Sequence, residues 1–442
     1  MLAELATAPE GVTNGLLDIT LDQVMDRAGG QPEWLLALRS RAFGAFETLD
    51  FPTRRLEEWR YTDVSQLRMD EVRLLEPEPS ARAPAEARAL LEGKKASATV
   101  LIVGGAVAEI ALDPALAERG VVVQDLATAA AERPELVREH LGSAVPMDGD
   151  RFAALNGALW NVGLFVHVPR DVRVEDPIRV VRWLPHGGVA VFPRTLIVAE
   201  ANSHVAYVDE FASPDVDEPA LSLGAVEVVA REGADVQYVA LQQWGAGVHH
   251  LSMQRTIAER DSNLDTLVVN LGASVARVDL AARLEGPGSR SDMLGLYFAR
   301  GKQHFDHSTR QDHVSAHANS DLLYKGALYD ESKTIFRGVI RVFPRAQRTD
   351  AYQTNRNMLL SGHAEAVSLP NLEIEADDVK CSHGATVGQL DEEEMFYLRS
   401  RGLTRQQAER LAIFGFFGEV LDRLPLPEVV EELKAAIEAK IR

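Results

Sequence analysis

From Leu16 to about Asp70 apolar residues recur every three or four positions, as in "LDQVMDRA" and "PEWLLALRSRAFGAFETL", a spacing that predicts helices with one buried face. "EPEPSARAPAEARALLEG" (Glu76 to Gly93) is rich in Pro and Ala and reads as a linker entering a helix. A short strand, "ATVLIVGG", and a helix, "DRFAALNGALWNVG" (Asp150 to Gly163), follow. From Leu164 to about Val387 the chain changes to short runs of Val, Ile, Leu, Tyr and Thr between turns of Gly, Asn, Asp and Ser, the pattern of successive strands. The end is helical again. "DEEEMFYLRSRG" starts at Asp391 with Glu394 three residues on, and "TRQQAERLAIFGFFGEVLDRLP" starts at Thr404 with Gln407 in the capping-box position. Pro427 opens a last helix to Arg442.

The strand region repeats. Aligning each small polar turn with the first apolar residue after it gives Val205, Val236, Leu264, Met293, Leu322 and Ala351, at steps of about 28 to 31 residues, with Val367 half a period further on. A period of this length without intervening helices favours a β-solenoid of stacked coils over a sandwich or jelly roll. The expected fold is mixed α and β: a mostly helical region with a short α/β segment (1–160), a parallel solenoid core (161–388) and a C-terminal helical region (389–442).

Composition narrows the function. A chain of 442 residues with a formal charge of −20 and no basic stripe is not built to grip phosphate backbones. The longest apolar stretch, "TVLIVGGAVAEIAL" (Thr99 to Leu112), is broken by Glu109 and too short for a bilayer helix. The opening "MLAELATAPEGVTNG" lacks a basic segment followed by an apolar run, and a lone cysteine suits a reducing compartment. The expectation is a soluble cytoplasmic protein with no nucleic-acid or membrane partner.

Candidate chemistry is sparse. "GPGSRS" and "DESKT" fall short of nucleotide-binding loops, so any ATP hydrolysis must come from another chain. "HFDHSTRQDHVSAH" sets His304, His307, His313 and His317 within one short stretch; a surface or solenoid-wall role is favoured there over metal binding. In "DDVKCSHGATVG" the only cysteine, Cys381, lies two residues before His383, and on a strand both side chains face the same way. Two ligands do not complete a structural metal site, so a buried cysteine beside a hydrogen-bonded histidine is the simpler reading unless another molecule supplies the rest. "IFGFFGEVL" (Ile413 to Leu421) is apolar around too much of its helix for one stripe, so either two elements of this chain or a partner cover it.

The segment "AQRTDAYQTNRNMLLSGHAEAVSLPNLEIEADDVKCSHGATVGQLDEEEMFYLRSRG", with "YKGALYDESKTIFRGVI", "ERLAIFGFFGEVL" and "FPTRRLEEWRYTD", resembles the SufB/SufD family of iron–sulfur cluster assembly proteins. The family's SufB branch carries a cysteine-rich signature that a one-cysteine chain lacks, so the resemblance falls on the SufD branch. It implies a right-handed parallel β-helix between helical regions, in a scaffold that is not itself an enzyme. It implies as partners SufB, paired through the β-helix ends, and the ATPase SufC, docked on the C-terminal helices at Phe396, Tyr397, Phe414 and Phe417. His383 would lie at the SufB interface with Cys381 beside it, holding iron or a transient iron–sulfur cluster shared with SufB. Reduced flavin accompanies some such complexes, although no flavin fingerprint is present, and a homodimer through the same end is a further arrangement. The rival class is a stand-alone solenoid metalloenzyme acting on polysaccharide through the His304 to His317 cluster.

Overall fold

The Val-, Ile- and Leu-rich runs form strands that pair in parallel with the run one period on. The computed structural model describes residues 15–76 and 83–441. The opening residues 1–14, on which the reading of no leader rests, and 77–82 of the expected linker lie outside the described residues. Eight coils follow one another, each giving one strand to each of two sheets. The first sheet runs from Val162–Val168 through Pro193–Ala199, Ala220–Ala230, Val248–Ala258, Val275–Leu284, His304–His313 and Lys333–Val342 to Glu365–Ile374. The second runs from Ile178–Trp183 through His204–Ala212, Asp235–Gln243, Asn263–Asn270, Arg290–Ala299, Asn319–Leu328 and Asp350–Leu359 to Lys380–Gln389.

The period survives with two corrections. Leu264 does not align with Met293; Met293 pairs with Thr266, and Leu322 pairs with Gln353 rather than Ala351. Both slips are of two residues, which keeps every side chain on its face. Val367, half a period on, lies in the opposite sheet, as a two-strand coil requires.

Side chains between the sheets form one long core from Ala98 to Phe336. In its later coils the lumen is partly polar: His307 stacks on Tyr297 at 4.5 Å and bonds Asn270, while Tyr297 donates to Asn357 at 2.7 Å. Tyr297 lies where a side chain at Gly326 would stand, so that position takes no Cβ.

The outer faces are covered too, and for that reason the middle strands do not alternate apolar with polar residues. Helices Leu21–Arg27, Glu33–Thr48 and Arg151–Leu159 pack with the outside of the first sheet around Phe43, Phe152, Phe165, Leu196 and Leu251. Beyond Thr48 the helical expectation fails. Residues 49–71 form three 3-10 turns, because Phe51 and Trp59 are used as separate anchors on Phe152 instead of forming one stripe. Helices Arg405–Leu421 and Pro427–Ile441 cover the second sheet through Ile413, Phe417, Val420 and Leu433 against Leu241, Leu267, Leu296 and Leu323. The capping box predicted at Thr404 and Gln407 is closed in both directions; at Asp391 only the cap forms, through the N–H groups of Glu393 and Glu394.

The early end of the solenoid is closed. "TVLIVGGAVAEIAL" forms a hairpin, Ala98–Val103 with Ala106–Leu112, that extends the second sheet, and Val122–Asp125 closes the first with an antiparallel strand. The N-terminal region is fastened by a fully buried ion pair, Arg194 to Glu227 at 2.6 Å, in which Glu227 also accepts from the backbone N–H groups of Gly142, Ala144 and Val145 at 3.0 Å. Glu227→Ala leaves Arg194 buried without a counter-ion and three N–H groups unpaired. It is expected to cost about 3–5 kcal/mol, read as a lower urea midpoint in equilibrium unfolding.

Candidate functional site

The other end is not closed. Glu365–Ile374 and Lys380–Gln389 are the last strands of their sheets, and no strand among the described residues pairs beyond them. In a parallel ladder, alternate residues of a strand bond to opposite neighbours. Lys380 and Leu390 donate inward to Thr349 and Leu359, so the backbone groups of Cys381, His383, Ala385, Val387 and Gln389 point to the free edge. In the first sheet Glu365 and Glu375 donate inward, which turns Ala366, Ser368, Pro370, Leu372 and Ile374 to the edge, with no N–H at Pro370. Proline on an edge strand blunts promiscuous pairing. One free edge is therefore continuous and the other interrupted, and Tyr352, Ile374 and Val387 are exposed beside them.

The strand places Cys381 and His383 on its luminal face, above Ala351 and Gln353 of the preceding coil. Cys381 is half-buried against the small cluster of Ile340, Val342, Ala346 and Ala351, whereas His383 is exposed. Burial, and then the Asp350 carboxylate, push the Cys381 thiol up, while a backbone hydrogen bond from Ala351 pulls it the other way. The isolated chain thus holds a thiol rather than a thiolate, beside an imidazole open to solvent. No set of three or more His, Cys, Asp or Glu side chains is grouped to hold a metal ion among the described residues. The donors here suit iron or an iron–sulfur cluster in kind, since thiolate and imidazole both ligate iron, but not in number.

The upstream histidines do not gather. His304 faces outward and shares a hydrogen bond with Thr62 at 2.9 Å. His307 and His313 face the lumen, bonded to Asn270 and Ser320 at 2.7 Å, and burial pushes them down to about 3 and about 4. His317 occupies a turn at φ 60°. These are wall residues, and the polysaccharide metalloenzyme reading loses its centre.

Of the four aromatic residues expected to dock a partner, Phe396 is 73% and Tyr397 57% exposed on helix Glu392–Ser400. Phe414 is partly covered, and Phe417 is fully buried against the second sheet. The apolar circumference of "IFGFFGEVL" is therefore shared by the sheet and the last helix, and Phe417 can support a partner surface only by holding its helix in place. A cavity of about 540 Å³ lies between Phe51, Trp59, Phe152, Met253 and Arg277. Trp59 is already stacked on Phe152 and topped by Arg277 at 3.9 Å, which leaves poor room for a flavin ring to stack.

The architecture is that of a helix-flanked parallel β-solenoid with one end closed and one open. The model of the SufBD core domain of the SUF iron–sulfur cluster assembly system matches residues 183–416, and that of the SufBD N-terminal region matches 27–180. The SufD protein of Bacillus subtilis is 30% identical over 93% of this chain and 95% of its own length. SufB of the same organism is 28% identical over 72% of this chain and 68% of its own, and a SufBD family protein of Mycobacterium leprae 34% identical over 66% and 75%. The chain belongs to the SufBD family of SUF iron–sulfur cluster assembly proteins. No helix of the described residues is long and apolar enough to cross a membrane.

Asp350→Asn removes the carboxylate that opposes ionisation of Cys381. Alkylation of that thiol at pH 8 is expected to become a few-fold faster, read by mass spectrometry; an unchanged rate would mean that burial alone governs the thiol.

Proposed function

We propose that this chain fills the SufD position of a SufB–SufC–SufD complex for de novo iron–sulfur cluster assembly, as a cytoplasmic scaffold and not an enzyme. The observation that carries the reading is the unclosed end of the solenoid. Its free backbone edge lies on the same strand as the two iron-ligating side chains, so pairing with SufB would bring both to the junction in one step. The early end finishes instead in the antiparallel strands Ala106–Leu112 and Val122–Asp125, neither of which carries a cysteine or histidine. The choice of SufD over SufB rests on the single cysteine and on the length of the match to the B. subtilis SufD protein.

In this reading the division at 160 and 388 is functional: the N-terminal region closes one end, the right-handed β-helix carries the junction at the other, and 389–442 receives SufC. His383 offers a ring nitrogen at the surface. Cys381 must lose a proton to ligate, and its half-burial makes that loss depend on a nearby cation. Iron or a nascent cluster is then cargo held between chains. ATP binding by SufC would open and close the junction as a two-state assembly. Exposed Phe396 and Tyr397 form the apolar surface available to SufC, with Phe414 at its margin and Phe417 beneath. No residue of this chain is assigned to flavin.

Anaerobic coexpression with the cognate SufB and SufC tests both contacts. His383→Ala should leave the complex intact and lower its iron and sulfide at least ten-fold, and undiminished cluster content would contradict the ligand role. Phe396→Asp with Tyr397→Asp should release SufC while SufB is retained; SufC held at the wild-type ratio would place its docking surface elsewhere.

A further inference from the structure

One coil beneath His383, in register with it, is Gln353. Gln353 faces the lumen and is 0% exposed. Its amide Nε2 donates to the carbonyl of Asn371, in the terminal coil, at 3.1 Å, and weakly to that of Gly338 at 3.5 Å. The amide oxygen, Oε1, is buried and accepts no hydrogen bond. Space for it exists only because residue 338 is glycine: a Cβ there would stand 2.1 Å from Oε1. A buried acceptor left without a donor costs about 1–3 kcal/mol, so one that persists calls for a partner.

The donor is at hand. Neighbouring strands lie about 4.8 Å apart, within reach of a side chain lying down along the ladder. His383 carries a ring N–H, has no hydrogen-bond partner among the described residues, and projects from the same luminal face as Gln353. A donor without an acceptor thus stands one strand above an acceptor without a donor. In the isolated chain the imidazole is exposed and free to stay in water. A second chain covering the end would remove that water and press the ring toward the lumen.

We propose that Gln353 is a positioning residue for His383: in the assembled junction its Oε1 accepts the Nδ1–H of the imidazole. This rests on the proposed role of His383 at the junction. The bond fixes the tautomer, so that Nε2 presents its lone pair toward the partner and the metal it shares. A ligating histidine whose other nitrogen is held in this way is a better and better-aimed base, and losing such a support typically weakens metal binding about 10- to 100-fold. Asn371 and Gly338 complete the device, the one steering the amide by its carbonyl and the other by its missing side chain.

The test uses the coexpressed complex and ferrous iron alone, with affinity read by competition against a chelator. Gln353→Met keeps length and apolar bulk but removes the acceptor; it should leave the complex and its melting temperature intact and weaken iron binding at least ten-fold. Gln353→Glu, kept protonated by burial so that its O–H donates to the Asn371 carbonyl, retains the acceptor and should restore most of the loss, which a purely packing role would not predict. Ring ¹⁵N spectra of histidine-labelled chain in the complex, with His383 identified by its absence in His383→Ala, should show the Nδ1–H tautomer in wild type and a mixture in Gln353→Met. Unchanged iron affinity and tautomer in Gln353→Met overturn the proposal. If His383→Ala loses iron while Gln353→Met does not, only the positioning role falls; if His383→Ala also keeps iron, the ligand reading falls with it.

Discussion

Everything in this fold depends on the parallel backbone ladder. Each strand of the solenoid has its amide groups satisfied by the strand one coil before and one coil after, so no coil is complete alone. The ladder sets the period, lines up the luminal columns, and leaves unfinished bonding wherever it stops. At the early end an antiparallel hairpin and a short strand stop it. At the late end nothing among the described residues does, and the consequences of that asymmetry meet on the strand Lys380–Gln389.

The ladder also accounts for where the helices lie. Outward side chains of the middle coils are apolar, and two helical layers bury them, one on each sheet. Toward the late end the first sheet's outer face turns polar, with Asp306 paired to Arg277 and Arg337 to Glu58. The last coils can therefore stand without a helical cover, and their open cross-section stays accessible. A partner meeting that end would bury luminal residues as well as backbone groups.

Much of this was legible in the sequence. The period between Val205 and Ala351, the half-step to Val367, the helices opened by Thr404 and Pro427 and the shared face of Cys381 and His383 all follow from spacing. The register at Met293 was not, because an apolar residue two places along preserves the face and leaves the hydrophobic pattern unchanged. The segment after Thr48 misled because Phe51 and Trp59 occur at spacings a helix would also produce, while their partners, Phe152 and Arg277, are distant in the chain. The burial of Phe417 beside the exposure of Phe396 needed the packing of two helices on a sheet, which spacing does not encode. Gln353 stands one coil before His383, so the period that sets the fold also points to it.

The central claim is that the free edge of the second sheet is where this chain is continued by another. Hydrogen–deuterium exchange of the strand Lys380–Gln389, with and without cognate SufB, measures this at the backbone itself. The account predicts rapid exchange of the amides of Cys381, His383, Ala385, Val387 and Gln389 in the isolated chain and strong protection of the same alternate amides in the complex. Protection confined to other surfaces, with these amides exchanging equally fast in both states, would contradict it.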